Sequence, residues 1–432
     1  KPQVVSTTLL AEAAEPFAPK GGMTANVASQ VKRQEIKEVF MPVPRFCPND
    51  MCRNHYQPRR SWRVSFGSYK TLAHGPVQRY RCRECGTTVS DQTESIHYFA
   101  KRRLPLRALA ASLLAGSSMR DVARRYGVSV MAVQNGVLRL GRQSMAAQVQ
   151  LLSRLNERTE VAFDGLRSFV SSQDYPCDIT TTVDKESETI LTMTHAVFRR
   201  GGRMRPSQKR RLSLKDKGWK PKQGTVKAAI MLQVNELWDY LRPEWSTEAT
   251  IDTDENPLYA SVLQSDPKLR HFAMAQLTAH RTTPSTAPRT FDNRLFPVNY
   301  VDRLLRHRMK EHTRETIAFG RHAVMQMHRA WIFAWDHNCR REHRVKRPED
   351  GVHATHGCID QEAVTELTRG FFERRIRLTG NAVPESIRQV WTGDLQTPPI
   401  RWKAGQKRGS VRVSAFATRD LEEADQHASR YY

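Results

Sequence analysis

Two closely spaced cysteine pairs near the start of the chain constrain its folding more than any other feature. Four residues separate Cys47 from Cys52, and two separate Cys82 from Cys85. Two such pairs across a loop can converge on one tetrahedral ion, and Zn²⁺ prefers thiolate ligands. A module of roughly fifty residues also needs a crosslink of this kind, because its apolar core is thin. The pattern predicts a structural zinc site in a zinc ribbon. A site in which His55 replaces one cysteine is the alternative.

Basic residues greatly outnumber acidic ones, with 69 Lys and Arg against 44 Asp and Glu and a net charge of +25 over 432 residues. This balance predicts a polyanionic partner, and double-stranded DNA is the expected one. No apolar run approaches the ~20 residues that a membrane span needs, so no membrane partner is expected. The remaining cysteines are scattered and no signal pattern opens the chain, which favours a cytoplasmic, nucleoid-associated protein.

Residues 118–140 (SMRDVARRYGVSVMAVQNGVLRL) have the pattern of a helix-turn-helix, with the corner at Gly127. The inward positions are Val122, Ala123, Val130, Val133 and Val137. Ser129 is the predicted N-cap, so the second helix would present its N-terminus to DNA. The positions on or near its outer face are Ala132, Gln134, Asn135 and Arg139. Such amide and guanidinium groups read base edges, although an ordinary helical hairpin with a solvated basic face remains the alternative.

Downstream, short apolar segments alternate with helical patterns. Strands are predicted over residues 161–170, 178–183, 190–198, 249–253 and 271–277, and helices over 226–241, 301–314 and 323–338. Strands first, followed by alternating helices and strands, favour an α/β core with a mixed central sheet. The expected fold class is therefore multidomain α+β, with the zinc ribbon and helix-turn-helix ahead of this core.

A strongly basic segment, residues 199–227, interrupts the core between the third strand and the next helix. It contains twelve Lys and Arg residues against the single acid Asp216. A loop of this charge repels itself unless phosphates neutralise it. We therefore expect Lys209, Arg210 and Arg211 to contact DNA.

Three acids occur on three separate elements of the predicted core. Asp164 lies inside an apolar strand, where a lone carboxylate is costly unless a cation compensates it. Asp254 follows a short strand, and Asp302 is predicted to open a helix, where the helix dipole favours an acid. One acid on each of two strands and a helix is a layout that can hold two Mg²⁺ ions about 4 Å apart. Singly, Asp254 and Asp302 have ordinary capping explanations, and the rival ligands are Asp252, Asp184, Glu311 and Glu315.

The choice between Asp254 and Asp252 depends on strand alternation. If Ile251 faces the core, Asp252 points to the other face, whereas Asp254 at the strand's end can turn toward Asp164. Farther on, His337, Cys339 and His343 suggest a second metal site. A helix end with hydrogen-bonded histidines is the favoured interpretation of that group.

Several of these segments together resemble a known family. They are residues 78–88 (QRYRCRECGTT), the helix-turn-helix, 163–170 (FDGLRSFV), 253–259 (TDENPLY), and Asp302-Arg303 followed by 314–321 (RETIAFGR). Taken in order they resemble small bacterial insertion-sequence transposases of the DDE/DDD superfamily. The resemblance implies an RNase H-like core in which Asp164, Asp254 and Asp302 are the catalytic residues and bind Mg²⁺ or Mn²⁺.

The expected function is that of a DNA transposase, which binds transposon end sequences and catalyses metal-dependent DNA cleavage and strand transfer. Synapsis of two ends suggests a homodimer or a higher assembly on DNA. The alternatives are a catalytically inactive, transposase-derived regulator and a metal-dependent DNA nuclease. The expected domains are a flexible tail (1–42), the zinc ribbon (43–98), the helix-turn-helix domain (99–155), the catalytic core (156–345) and a basic C-terminal extension (346–432).

Overall fold

A five-stranded mixed sheet lies at the centre of the structure. The computed structural model describes residues 43–49, 51–156, 159–237, 241, 249–275, 278–313, 318–356, 359–378, 382–399 and 413–428. The predicted tail over 1–42 lies outside these residues, as do the rival ligand Glu315 and residues 400–412 of the expected basic C-terminal extension. Within them the chain is α+β, as predicted.

A small three-stranded sheet follows the first cysteine pair. Its elements are α1 (Arg53–Tyr56), β1 (Arg63–Thr71), β2 (Gly75–Cys82) and β3 (Thr88–Ser90). The strands are antiparallel in the order β1-β2-β3. Its apolar cluster is small and contains Trp62, Val89 and three of the cysteines, with Tyr80 packed against it. A core of this size supports the expectation that a crosslink stabilises the module.

Three helices come next: α2 (Leu106–Leu114), α3 (Met119–Tyr126) and α4 (Val130–Leu152). Ser118 caps α3 and forms a capping box with Asp121. Gly127, with φ of 60°, ends α3, and Ser129 accepts a hydrogen bond from the backbone of Ala132 at the start of α4. The predicted turn and N-cap are therefore confirmed.

The buried faces of α3 and α4 match the predicted ones with one exception. Val122, Ala123, Val133 and Val137 are buried, whereas Val130 is 37% exposed. The prediction for Val130 is wrong because the first residue after the N-cap points to solvent. From residue 140 onward α4 is almost wholly buried and packs on the central sheet.

The central sheet comprises β4 (Glu160–Phe169), β5 (Pro176–Asp184), β6 (Ile190–Val197), β7 (Ala249–Asp254) and β8 (Thr278–Thr283). Its order is β6-β5-β4-β7-β8. The first three strands along the chain are antiparallel, and β7 and β8 run parallel to β4. The predicted mixed sheet is confirmed.

The helices that follow β6 are α5 (Pro206–Gly218), α6 (Thr225–Leu237), α7 (Pro257–Ser265), α8 (Pro267–Met274), α9 (Phe296–Arg308) and α10 (Ala323–Arg340). Helices α4, α9 and α10 share one apolar cluster with Ala162 and Leu166 of β4. Helices α6 and α7 share another with Val161 and Phe163. Since side chains alternate along a strand, the sheet is covered by helices on both faces.

The C-terminal part adds β9 (Glu342–Arg344), β10 (Arg347–Val352), α11 (Gln361–Thr368), α12 (Glu385–Thr392) and α13 (Ala415–Ala428). Ile387, Val390 and Trp391 of α12 and Leu421 of α13 belong to the same apolar cluster as α4 and α9. The described part of the expected extension therefore packs on the core. The domain boundaries themselves remain a prediction.

Three sequence-based elements are corrected. The strand expected over 271–277 is helix α8 up to Met274, because Asp266 caps it and Pro267 fills its first turn. The basic segment expected as a loop contains helix α5, again with a proline at its start. The helix expected from residue 301 already begins at Phe296, with Pro297 in its first turn.

Candidate metal centre and carboxylate cleft

The four paired cysteines converge at one end of the small sheet. One Sγ atom from each of Cys47, Cys52, Cys82 and Cys85 lies within 4.8 Å of the other three. The Cys47 and Cys85 sulfurs are 3.4 Å apart, and the Cys52 and Cys82 sulfurs 3.8 Å apart. A Zn–S bond of about 2.3 Å in a tetrahedron requires sulfurs about 3.8 Å apart. This cluster can therefore hold a metal ion such as zinc.

The neighbours of the cysteines hold the two pairs in position. The Cys47 amide donates to the carbonyl of Asn54 at 3.0 Å, and the Gly86 amide donates to the carbonyl of Cys82 at 3.1 Å. Gly86 has a φ of 72°, which a tight turn after the second pair requires. The ring of His55 forms a 2.8 Å hydrogen bond with the carbonyl of Cys47. His55 is not among the groups that converge, and the all-cysteine set is the one that the geometry brings together.

The three predicted acids meet at one region of the central sheet. Asp164 lies on β4 and Asp254 at the end of the neighbouring parallel strand β7, where the register pairs Ala162 with Asp252. Two residues farther along both strands, Asp164 and Asp254 occupy adjacent positions on one face. Asp302 comes from α9, which packs on that same face.

The electrostatics of these acids reflect their closeness and burial. Burial, with the neighbouring charge of Asp254, raises the pKa of Asp164 to about 7. Burial and the charge of Asp164 also raise the pKa of Asp302 well above its usual value. One buried oxygen of Asp302, Oδ1, has no hydrogen-bond partner in the described structure. A bound cation would offset both the burial and the mutual repulsion of these carboxylates.

The acids do not form a tight single-ion cage. Among the described residues, the groups with one ligand atom each within 4.8 Å of one another do not include this trio. A pair of ions about 4 Å apart requires carboxylates spread more widely than one ion does. The three carboxylates are therefore not gathered around one point.

The position of Asp302 within its helix differs from the predicted one. Asp302 is the seventh residue of α9, not the first. The helix dipole acts within the first turn, so it does not account for this acid. What positions Asp302 is the packing of α9 through Val298, Val301 and Leu305, which are buried against the sheet.

The rival acids have partners of their own. Arg281 binds Asp252 through two 2.9 Å hydrogen bonds, and Lys185 approaches it at 2.7 Å. Asp252 lies on the face opposite Ile251, as expected, but on the same face as Asp254, since residues two apart share a face. Ion pairing therefore distinguishes the two acids, whereas alternation does not. The other described rivals are also engaged, Asp184 by Ser187 and Glu311 by Arg329.

Sequence reasoning missed a fourth carboxylate, Asp178 on β5. It is 5% exposed, pairs with Arg167 at 3.1 Å, and adds its charge to those that raise the pKa of Asp164. A Cβ atom at Gly165 would lie 2.5 Å from its Oδ1, so glycine there leaves room for the carboxylate. The only signal for Asp178 in the sequence was its position at the start of an otherwise uncharged predicted strand.

The hydroxyl of Tyr259 on α7 lies near the same acids. Burial raises its pKa, and the charges of Asp164 and of three other acids raise it further.

An arginine-rich cleft of about 760 Å³ opens beside Asp164 and Asp302. Its polar lining includes Arg167, Arg289, Asn299, Arg303, Arg306 and Thr313. Asn299, Asp302, Arg303 and Arg306 follow the i, i+3, i+4, i+7 spacing that places side chains on one helix face. This pattern was readable in the sequence once the helix start was known. A cleft with acids at its base and guanidinium groups around it suits a phosphodiester chain.

The predicted base-reading residues of α4 lie in two different environments. Asn135 is exposed and Gln134 is half-buried. Arg139 instead donates a 3.1 Å hydrogen bond to the carbonyl of Ile96. Asn135 and Arg139, with Ser129, line a groove of about 550 Å³ whose other residues include Lys101, Arg102 and Arg142. The groove is basic, but Arg139 is held by protein rather than projecting to solvent.

The predicted DNA contacts of the basic segment are also divided. Lys209 and Arg210 are exposed on α5. Arg211 binds Asp174 through two hydrogen bonds of 2.8 and 3.1 Å, and Lys215 joins them at 2.7 Å. Asp174 is 2% exposed. The segment therefore does not rely on phosphates alone to balance its charge, because this acid anchors α5 to the core.

No helix among the described residues is both long and apolar enough to cross a membrane. No protein-family model matches this chain, and no curated protein is significantly similar to it. Its function must therefore be inferred from the geometry of its own residues.

Proposed function

We propose that this protein is a DNA transposase with an RNase H-like core. The observation that carries the proposal is the placement of Asp164 and Asp302 in the lining of an arginine-rich cleft, with Asp254 next to Asp164 on the adjacent strand. The strand order β6-β5-β4-β7-β8, antiparallel on one side and parallel on the other, supports the RNase H-like assignment. The net charge of +25 supports DNA as the substrate.

The N-terminal modules are proposed to recognise DNA. The four-cysteine cluster is proposed to hold structural zinc in a zinc ribbon, and α3 and α4 to form a helix-turn-helix that reads transposon ends. A homodimer or higher assembly on DNA would bring two ends together. A protein with this role would work in the cytoplasm, at the nucleoid.

The residues of the cleft have separable roles in this proposal. Asp164, Asp254 and Asp302 would hold Mg²⁺ or Mn²⁺, which when bound activates water or a 3′-hydroxyl and stabilises charge on the phosphate. Arg289 and Arg303 would orient the DNA backbone through its phosphates. Asn299, one helical turn before Asp302, would help to position the DNA strand along this face of α9. No residue is required to form a covalent bond to DNA.

The proposal is tested by incubating the protein with its own flanking terminal repeats, Mg²⁺ and a target plasmid. Joining of a cleaved end to the plasmid is expected. Cleavage without joining would favour a nuclease instead. Sequence-specific binding without cleavage would favour a regulator that has lost the chemistry.

Asn135→Ala is expected to weaken binding to the terminal repeat by about 1–3 kcal/mol while changing binding to random DNA little. The reason is that Asn135 is an exposed amide on the outer face of α4. Fluorescence anisotropy with both DNAs measures the difference. Asn235→Ala, at an exposed position of α6, is the matched control and should leave both affinities unchanged. Equal losses on the two DNAs would reassign Asn135 to phosphate contact.

A second comparison uses the two kinds of cation on α5. Replacing Lys209 and Arg210 together with Ala is expected to reduce the slope of log affinity against log salt by about 1.8, since each phosphate contact contributes about 0.9. Arg211→Ala should leave the slope unchanged and lower the thermal stability, because Arg211 compensates buried Asp174. An unchanged slope in the double variant would mean that this face of α5 does not contact DNA.

A further inference from the structure

The hairpin β9–β10 and the turn after it bring metal-binding side chains together, far along the chain from the four cysteines. His343 lies on β9, Asp350 on β10, and His356 follows the short 3-10 helix His353–Thr355. One ligand atom from each of His343, Asp350 and His356 lies within 4.8 Å of the other two. The imidazole rings of His343 and His356 are stacked, with centroids 3.9 Å apart.

His343 is buried without using its polar atoms. Its exposed fraction is 5%, and neither Nδ1 nor Nε2 has a hydrogen-bond partner in the part of the chain that the structure describes. Leaving polar atoms of this kind buried and unpaired is unfavourable. A ligand on the ring would remove this cost.

We propose that His343, Asp350 and His356 form a second metal site, for a divalent transition-metal ion of the Zn²⁺ type. Two imidazole nitrogens and one carboxylate oxygen are a donor set that Zn²⁺ accepts, with water as the fourth ligand. Asp350 and His356 are half-buried, so an ion can reach the site from solvent. The proposal does not depend on the proposed function.

A second trio, Glu188, His343 and His353, shares the same ring but is less suited to an ion. Both oxygens of Glu188 accept hydrogen bonds from Arg344, at 2.9 and 3.0 Å. Nδ1 of His353 forms a 2.9 Å hydrogen bond with the carbonyl of Ser187. Glu188 and His353 are already engaged, so the ion belongs on the side of Asp350 and His356.

The ligands come from a stretch of fourteen residues, from His343 to His356. An ion held by them would join the hairpin to the turn that follows it. Both of these elements pack against α10. The site is therefore a local clip that would stabilise this end of α10 when metal is bound.

The test counts zinc in the full chain after equilibration with Zn²⁺ and removal of the excess in a buffer rich in Mg²⁺, which competes for the carboxylates of the cleft. The unmodified protein is expected to contain two zinc ions per chain, one of them in the cysteine cluster. His356→Ala and Asp350→Asn are each expected to contain one, and both positions are exposed enough for the variants to fold. His271→Ala, which removes an exposed histidine of α8, is the control and should retain two.

Substitution with Co²⁺ identifies which ion is lost. Thiolate ligation gives an intense sulfur-to-cobalt charge-transfer absorption that histidine and carboxylate ligation does not. In His356→Ala this absorption is expected to persist while the cobalt content falls by one ion. A single zinc in the unmodified protein would overturn the proposal, as would loss of the second ion in His353→Gln but not in His356→Ala.

Discussion

Asp302→Asn is expected to reduce cleavage of transposon-end DNA by more than about 100-fold while leaving end binding intact. Changing a group that only supports a metal ligand typically costs 10–100-fold, so loss of a ligand should cost more. Asp302 is half-buried, and its Oδ1 has no partner in the described structure. The amide removes the negative charge with almost no change in shape. A gel assay with end-labelled duplex measures cleavage, and anisotropy measures binding.

The control for this variant is Asp292→Asn, which neutralises an exposed acid shortly before α9. It should cleave at the unmodified rate. Asp252→Asn is a poor control, because it would remove the buried carboxylate that pairs with Lys185 and Arg281. The two unpaired cations would then destabilise the fold. Cleavage by Asp302→Asn at the rate of the control would remove Asp302 from the site.

Cys82→Ser combined with Cys85→Ser is expected to cost the protein one tightly bound zinc and the folded state of residues 43–98. The apolar core there is small, and structural zinc contributes about 10–16 kcal/mol of apparent binding free energy in zinc-finger peptides. Metal analysis and limited proteolysis measure the two effects. Cys339→Ala, which truncates a buried cysteine outside the cluster, should keep the metal. A double serine variant that retains this zinc and resists protease would contradict the assignment.

The parts of the fold that depend on local chemistry could be predicted from the sequence. The spacing of the four cysteines predicted a cluster whose sulfurs do converge. Gly127 and Ser129 predicted a turn and a cap because a left-handed backbone and an N-cap oxygen are strongly residue-specific. Strands β4, β5 and β6 were predicted to within two residues of their observed bounds, since apolar or β-branched residues run through them.

The errors arose where a boundary depended on a proline or where a strand was polar. Pro267 and Pro297 each mark a helix start. Because they were overlooked, part of α8 was predicted as a strand, and Asp302 was predicted at the start of a helix that begins earlier. Strand β8 has the sequence TAHRTT, in which Ala279 is the one apolar residue. It lies at the edge of the sheet and pairs only with β7. Polar edge strands have no alternation of apolar residues that could reveal them.

The acids of the candidate site could be proposed from the sequence, but the hydrogen bonds and ion pairs between distant segments could not. Asp164, Asp254 and Asp302 were selected from one acid on each of three elements together with the family resemblance, and the charge of Asp254 does reach Asp164, as that of Asp164 reaches Asp302. Their role as metal ligands stays a prediction. Pairings across distant segments were invisible, including Arg211 with Asp174 and Arg139 with the carbonyl of Ile96. These contacts depend on how α5 and α4 pack, which no spacing in the sequence encodes.

Direct metal binding at the three acids tests the central claim. The free Mn²⁺ signal in electron paramagnetic resonance should fall when the protein, carrying only its tightly bound zinc and freed of excess Zn²⁺, is added, and Asp164→Asn should bind at least one Mn²⁺ fewer per chain. Asp292→Asn should bind as many as the unmodified protein. Equal Mn²⁺ binding by the unmodified protein and Asp164→Asn would contradict a metal site at Asp164, Asp254 and Asp302, and with it the proposed chemistry.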